Sequence, residues 1–255
     1  MRFSANLSML YPEHGFLERF GAAAADGFRG VEFVSPYEFE PAEVAAAAQA
    51  VGTEVVLFNS PAGEWANGER GIACHPGRED EFADGIEIVL RYAQALGCRK
   101  VHVMAGIVPS GGDPGDAEWA LIGNLRHAAT RLGAHGIMAL LEPINQADMP
   151  GFAVSTIDHA ERVMAKVGHD NLRLQYDFYH VEMTQRRVLQ TFERLLPDIG
   201  HVQIADVPGR HEPGTGRMDY RGIFAAIEKL GYDGWVGAEY RPAGGTSAGL
   251  GWMRR

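Results

Sequence analysis

Four side chains in the second half of the sequence, Glu142, Asp177, Gln203 and Glu239, have the type and spacing to do chemistry. Each stands in or directly after an apolar run, and consecutive members are 35, 26 and 36 residues apart. Three carboxylates cannot be buried together as bare anions, because like charges raise one another's pKa and buried charge is costly. A divalent cation resolves this conflict, and an all-oxygen set suits Mg²⁺ or Mn²⁺ better than zinc.

A single buried acid in a strand is more often a hydrogen-bonded structural group, so the recurrence of these residues favours a metal site. His180 lies three residues after Asp177. Alone it would be a packing or hydrogen-bonding residue, but beside a cation it is a candidate for polarising a substrate oxygen. Asp206 lies three residues after Gln203, and its better interpretation is a helix or loop cap.

Glycine marks the boundaries of the elements that must position these residues. The chain has 32 glycines, and several stand where a helical pattern ends just before an apolar run, as glycine in the left-handed conformation does. The apolar runs predict strands at 2–6, 30–34, 54–58, 100–104, 137–141, 172–176, 201–205 and 235–239. Helical periodicity predicts helices at 14–26, 41–51, 79–96, 115–135, 156–167, 185–196 and 219–230.

Strand and helix alternate along the whole chain, which requires parallel strands with helical crossovers. Eight such units in 255 residues predict an α/β fold, a closed (β/α)₈ TIM barrel, as a single domain over residues 1–255. In such a barrel the active site lies at the carboxyl ends of the strands. Glu142, Asp177, Gln203 and Glu239 are therefore expected side by side around half of that end.

Composition excludes several classes of partner. The chain is 46% hydrophobic and carries 23 Lys and Arg against 33 Asp and Glu, a formal net charge of -10, so a nucleic-acid surface is disfavoured. Charge, glycine or proline interrupts every hydrophobic run before 18 residues, so no membrane span is expected. The start of the chain lacks the long apolar stretch of a signal peptide, and Cys74 and Cys98 are too few for a metal cluster. Both features predict a cytoplasmic protein with reduced thiols.

The Glu142-Pro143 pair, the Asp177-x-x-His180 motif and Glu239 resemble the marks of the sugar isomerase/epimerase superfamily of TIM barrels, which also contains the AP endonucleases of the endonuclease IV type. Within it the chain is most similar to the hydroxypyruvate isomerase family, and the similarity covers nearly its whole length. The segments that carry the similarity are 2–10, 27–33, 61–73, 142–145, 203–206 and 212–216.

This resemblance implies a metal-dependent aldose–ketose-type isomerase of short hydroxy-oxo acids. Glu142 and Glu239 would be metal ligands and proton donor and acceptor, and Asp177 and Gln203 would complete the metal shell. Gln203 stands where the related ketose 3-epimerases carry His. The 2-oxo-tetronate isomerases share these motifs, and segment 101–106 looks somewhat more like theirs, so the substrate stays open. The resemblance also allows homo-oligomers.

The chemistry of such a reaction agrees with the residues. Moving a carbonyl between C2 and C3 of hydroxypyruvate, to give 2-hydroxy-3-oxopropanoate, passes through an enediolate whose charge a divalent ion stabilises. Two glutamates can take and return the proton, and no nucleotide or organic cofactor is needed. The substrate carboxylate needs a cation, for which Arg210 and Arg70 are candidates; either could instead tie down its own loop. Trp65 could close over a ligand or anchor its loop.

Three alternatives differ in what they require. A ketose 3-epimerase acting on neutral sugars would need hydroxyl-binding groups in place of a cationic carboxylate site. DNA repair of the endonuclease IV type would need a richer set of histidine ligands and a basic face, whereas this chain offers Gln203 and a charge of -10. A non-catalytic sugar-acid-binding barrel would have no need to keep all four ligand positions.

Overall fold

The computed structural model describes residues 1–253. Over that range eight strands form a closed barrel in the order β1 to β8, and the pairings between them are parallel. The strands are β1 (Arg2–Asn6), β2 (Gly30–Phe33), β3 (Glu54–Asn59), β4 (Lys100–His102), β5 (Met138–Leu141), β6 (Leu172–Asp177), β7 (Ile199–Ile204) and β8 (Trp235–Ala238). The predicted (β/α)₈ barrel is confirmed. β4 ends at His102, two residues before the end of the predicted strand 100–104.

The α-helices alternate with the strands as predicted. They are α1 (Arg19–Ala25), α2 (Pro41–Val51), α3 (Glu79–Leu96), α4 (Pro114–Gly133), α5 (Ile157–Val167), α6 (Phe178–Thr184), α7 (Val188–Leu195) and α8 (Tyr220–Lys229). Gly52 and Gly97 end α2 and α3 in the left-handed conformation, with φ of 68° and 63°. None of the helices within residues 1–253 combines the length and apolar character needed to cross a membrane.

Two helical predictions differ from the structure. The predicted helix 14–26 is shorter, because a 3₁₀ turn at Phe16–Glu18 precedes α1. The predicted helix 185–196 is α7, and the helix before it, α6, was not predicted. α6 follows β6 without a loop because Asp177 ends the strand and also caps the helix, its side chain accepting a hydrogen bond from the backbone N–H of Tyr179.

The chain divides into two compact units. The first comprises Met1–Val56 and the chain from Tyr176 onward, and the second comprises Leu57–Gln175. The prediction of a single domain stays a prediction.

The first unit contains β1, β2, β7 and β8. Ser4 of β1 pairs with Gly30 of β2 and with Gly237 of β8, and Gly237 also pairs with Gln203 of β7. Alternate residues of a strand share one face. Polar side chains of these strands are buried, at Ser4, Asn6, Glu32, His201 and Gln203.

The second unit contains the second half of β3, all of β4 and β5, and most of β6. His102 of β4 pairs with Asn59 of β3 and with Leu140 of β5. Leu141 at the end of β5 pairs with Leu174 of β6. Glu142 directly follows β5.

The loop between β7 and α8 is organised around the carboxylate of Asp206, which is fully buried. It accepts hydrogen bonds from the backbone N–H groups of Val207, Gly214, Gly216 and Met218 at 2.8, 2.9, 2.9 and 3.1 Å. The interpretation of Asp206 as a loop cap is confirmed. This loop carries Arg210.

We expect Asp206→Ala to lower the free energy of unfolding by about 3 kcal/mol, because four backbone N–H groups, two of them buried, would lose their shared acceptor. Urea denaturation followed by circular dichroism measures the change. Asp219→Ala is the matched control, since Asp219 caps α8 through one hydrogen bond to the N–H of Gly222 and its loss costs about 1 kcal/mol. Equal losses in the two variants would contradict the organising role of Asp206.

Candidate active site

Asp177 and Glu239, two of the predicted acids, lie on either side of the Arg210 guanidinium. Nη2 of Arg210 is 2.5 Å from Oε2 of Glu239 and 3.4 Å from Oδ2 of Asp177. Asp177 ends β6, Glu239 directly follows β8, and Arg210 reaches them from the loop after β7. The structure thus brings together three residues that the sequence selected separately, and it places one cation between two buried carboxylates.

Arg210 is held in place by its own backbone and by an aromatic ring. Its φ is 55°, a left-handed conformation that is uncommon outside glycine, and its carbonyl oxygen accepts a hydrogen bond from the N–H of Arg241 at 2.8 Å. The guanidinium lies 5.1 Å from the centre of the Tyr179 ring, within the range of a cation–π interaction. The guanidinium is therefore positioned by the fold and not only by the acids.

His180 lies within the first turn of α6, three residues beyond Asp177. Its Nε2 is 3.6 Å from Oδ2 of Asp177, and both side chains are buried. The other oxygen, Oδ1, accepts the hydrogen bond from the N–H of Tyr179 at 2.8 Å. The capping turn that was missed from the sequence is thus what sets His180 beside the acid.

Glu239 is a buried acid whose carboxyl oxygens accept hydrogen bonds from two side chains. Oε1 accepts a hydrogen bond from Nδ2 of Asn6 at 3.0 Å, and Oε2 accepts from Arg210. Burial raises the pKa of Glu239 to about 8; Arg210 opposes this rise, and the charges of Asp177 and Glu32 add to it. A carboxyl group with such a pKa can both take and hold a proton near neutral pH.

Gln203 is fixed by Glu32, a residue that the sequence analysis did not select. Nε2 of Gln203 donates to Oε1 of Glu32 at 2.8 Å, and both side chains are buried. Although burial raises the pKa of Glu32, the charge and hydrogen bond of His201 and the donors Gln203 and Ser4 lower it below its usual value. The one available signal was a glutamate inside the apolar run Val31-Glu32-Phe33.

In the second unit Glu142 lies beside a buried histidine. Oε2 of Glu142 is 3.6 Å from Nδ1 of His102 on β4. Burial lowers the pKa of His102 to about 3, so its ring is neutral at physiological pH. Glu142 therefore faces a polar group that carries no compensating charge.

Arg70 makes its contacts within the loop after β3. Its guanidinium stacks 3.7 Å from the centre of the Trp65 ring, and Nη1 donates to the carbonyl oxygens of Trp65 and Glu69 at 3.2 and 2.7 Å. Trp65 is half exposed. The same loop is tied to α3 by an ion pair between Glu69 and Arg78. These contacts fit an arginine that holds its own loop, which was one of the two interpretations of Arg70.

Comparison with known proteins places the chain in a family. The model of the xylose isomerase-like TIM barrel family matches residues 20–255. A 2-oxo-tetronate isomerase from Cupriavidus necator is 48% identical over 253 residues, 99% of this chain and 97% of that protein. A hydroxypyruvate isomerase from Escherichia coli is 47% identical over 253 residues, 99% and 98% of the two chains.

Among solved structures, an AP endonuclease of family 2 from Brucella melitensis superposes with a TM-score of 0.96 at 44% identity, covering 99% of this chain and 97% of that one. The resemblance to the isomerases is thus confirmed along the whole chain. The chain belongs to the xylose isomerase-like TIM barrel family and is an isomerase.

Proposed function

We propose that this isomerase interconverts hydroxypyruvate and 2-hydroxy-3-oxopropanoate with the help of a divalent metal ion. The observation that carries the proposal is the cluster in which Arg210 joins buried Asp177 and Glu239. A guanidinium recognises a substrate carboxylate, and a buried glutamate of raised pKa moves a proton. Both groups are what a short hydroxy-oxo acid requires.

Glu142, Asp177, Gln203 and Glu239 would hold Mg²⁺ or Mn²⁺. The donor set fits, because it consists of carboxylate and amide oxygens and because the buried acids Asp177 and Glu239 already share a cation. Glu142 directly follows β5, Asp177 is the last residue of β6, and both side chains are buried. When bound, the ion supplies Lewis-acid stabilisation of negative charge on the substrate oxygens.

The residues of the chain move the proton. One glutamate removes a proton from C3 of hydroxypyruvate, which leaves an enediolate. The hydroxyl proton then passes from O3 to O2, and a proton is returned to C2; Glu142 and Glu239 are the pair proposed for the two transfers at carbon. Asn6 holds one oxygen of Glu239, so the carboxyl group keeps its orientation whether or not it is protonated. His180 polarises a substrate oxygen, and Arg210 turns from the acids to the substrate carboxylate.

A four-carbon 2-oxo-tetronate is the second candidate substrate. The 2-oxo-tetronate isomerase of Cupriavidus necator is 48% identical to this chain, as against 47% for the hydroxypyruvate isomerase of Escherichia coli. The same carboxylate side chains and Arg210 would serve either substrate, because the reacting carbons and the carboxylate of the two substrates are chemically alike. Only turnover of both substrates separates the two.

The test uses metal-stripped protein and protein reconstituted with Mg²⁺ or Mn²⁺, each incubated in D₂O with hydroxypyruvate or a 2-oxo-tetronate and followed by proton NMR. We expect 2-hydroxy-3-oxopropanoate to form only with metal and to carry solvent deuterium at C2. Faster turnover of the tetronate would keep the mechanism and change the substrate. Turnover of neutral ketoses with neither acid converted would contradict the proposal.

We also expect Mn²⁺ binding to release protons at pH 7. Burial raises the pKa of Glu239 to about 8, so the ion competes with a proton for this carboxyl group near neutral pH. Affinity should therefore rise as pH increases toward 8 and level off above it. Calorimetry in two buffers of different ionisation enthalpy measures the release, and Glu239→Gln, which has no such proton, is the control. Equal heats in both buffers for the unmodified protein would contradict this.

A further inference from the structure

We propose that Glu32 is a positioning residue that turns the carbonyl oxygen of Gln203 toward the metal site and, through Asn6, holds Glu239 in place. This inference rests on the proposed function, because it assigns a task to Glu32 within that site. Glu32 itself is fully buried and contacts one proposed ligand, Gln203, directly.

All four contacts of the Glu32 carboxylate come from side chains of the first unit. Oε1 accepts from Nε2 of Gln203 at 2.8 Å and from Nδ2 of Asn6 at 3.5 Å. Oε2 accepts from Oγ of Ser4 at 2.8 Å and lies 2.9 Å from Nε2 of His201. A carboxylate held on both oxygens has one orientation, so it is a fixed acceptor for its neighbours.

The fixed acceptor decides which way the Gln203 amide points. An ionised carboxylate only accepts hydrogen bonds, so Gln203 must direct its NH₂ group at Glu32 and its carbonyl oxygen away from it. Only that oxygen is a ligand for a hard cation. The opposite amide orientation would set two acceptors against each other and leave the NH₂ group facing the ion.

Asn6 transmits the same constraint to Glu239. Its Nδ2 donates to Oε1 of Glu239 at 3.0 Å as well as to Glu32, while its Oδ1 accepts from the N–H of Ser8 at 3.0 Å. Both ends of the amide are thereby assigned. Glu32 thus contacts the proposed ligand Gln203 directly and is linked to the proposed ligand Glu239 through Asn6.

The fold makes room for this arrangement at one glycine. β8 lies between β1 and β7, and Gly237 of β8 pairs with both Ser4 and Gln203. A Cβ atom built on Gly237 would lie 2.3 Å from Oε1 of Glu32. The missing side chain therefore lets a carboxylate that starts on β2 reach a side chain on β7.

The test measures Mn²⁺ binding by titration calorimetry on the full chain without substrate. We expect Glu32→Gln to weaken binding by at least about tenfold, because the new side chain no longer dictates the Gln203 orientation. The double variant Glu32→Gln with Gln203→Glu exchanges donor and acceptor, and it should bind at least about tenfold more tightly than Glu32→Gln. Ser4→Ala is the matched control. Ser4 contacts Oε2 of Glu32, which His201 still holds in the variant, and the contact of Oε1 with Gln203 is untouched, so the affinity should stay within about twofold of the unmodified protein.

A second measurement does not depend on a folded variant. In metal-free, ¹⁵N-labelled protein the side-chain NH₂ protons of Gln203 should exchange slowly with solvent, as expected for a donor to a buried carboxylate. Exchange as fast as that of an exposed glutamine would overturn the assigned orientation. Unchanged Mn²⁺ affinity in Glu32→Gln would overturn the positioning role and leave the proposed function intact. Absence of Mn²⁺ binding by the unmodified protein would instead overturn the proposed function and this inference together.

Discussion

Glu239→Gln should lower kcat by about 10³-fold, the middle of the range that general acid–base catalysis contributes. The amide keeps the size of the side chain and can still accept the hydrogen bond from Asn6, so the fold should remain. It loses the ability to take a proton near neutral pH. Glu142→Gln should have an effect of the same order, because the reaction needs one group to remove the proton and one to return it.

Steady-state kinetics with hydroxypyruvate measures both variants, and deuterium incorporation from D₂O reports which half of the proton transfer is lost. Glu54→Gln is the control, since Glu54 is an exposed residue at the start of β3, at the opposite end of the strand from the site, and its kcat should stay within about twofold. Residual activity above one tenth in either active-site variant would remove that glutamate from proton transfer.

Arg210→Ala should raise KM for hydroxypyruvate by about 10²-fold, which corresponds to about 2.7 kcal/mol and to the strength of a hydrogen-bonded charge pair. KM for glyceraldehyde and dihydroxyacetone, which have no carboxylate, should change little when each variant is measured at its own optimum pH. Because Arg210 opposes the raised pKa of Glu239, its removal should also shift the pH profile of kcat to higher pH. The ratio of acid to neutral-triose turnover is the quantity to measure.

Arg210→Lys keeps the positive charge but cannot bind the substrate carboxylate through two parallel hydrogen bonds, as a guanidinium can. Its KM should therefore lie between those of the unmodified protein and Arg210→Ala. Arg70→Ala serves as the comparison, because the contacts of Arg70 are with Trp65 and Glu69 of its own loop. A larger rise in KM for Arg70→Ala than for Arg210→Ala would reverse the two assignments.

The strands were predictable because each is a short apolar run and all but β1 follow a glycine or turn signal. The helix α6 was not, because Asp177 serves two elements and the residues after it continue the apolar run of β6. Arg70 and Arg210 were both candidates in the sequence, with Arg210 slightly favoured. Their difference depends on loop geometry, namely the stacking of Arg70 on Trp65 and the left-handed φ of Arg210, which has no local pattern.

Glu32 was missed for a different reason. A glutamate in a strand has the same appearance whether it faces solvent or the interior, and its role depends on strand register that no short segment encodes. The sequence also gives no sign that Gly237 leaves room for another side chain, because a glycine in a strand often marks only a bend or a weak point. The roles of Glu32 and Gly237 follow only from the contacts between strands β2, β1, β8 and β7, which the structure shows.

The loop organised around Asp206 and the strand ends carry different parts of the proposed function. The groups proposed for proton transfer lie at strand ends, whereas the residue proposed to recognise the acid is carried on 207–217, a segment that closes on a single buried carboxylate. We therefore expect a change of sequence in this loop to alter which acids the enzyme accepts and, because Arg210 contacts Glu239, also the pH dependence of the proton transfer. Asp206 and its four backbone partners are the contacts that a grafted loop would have to keep.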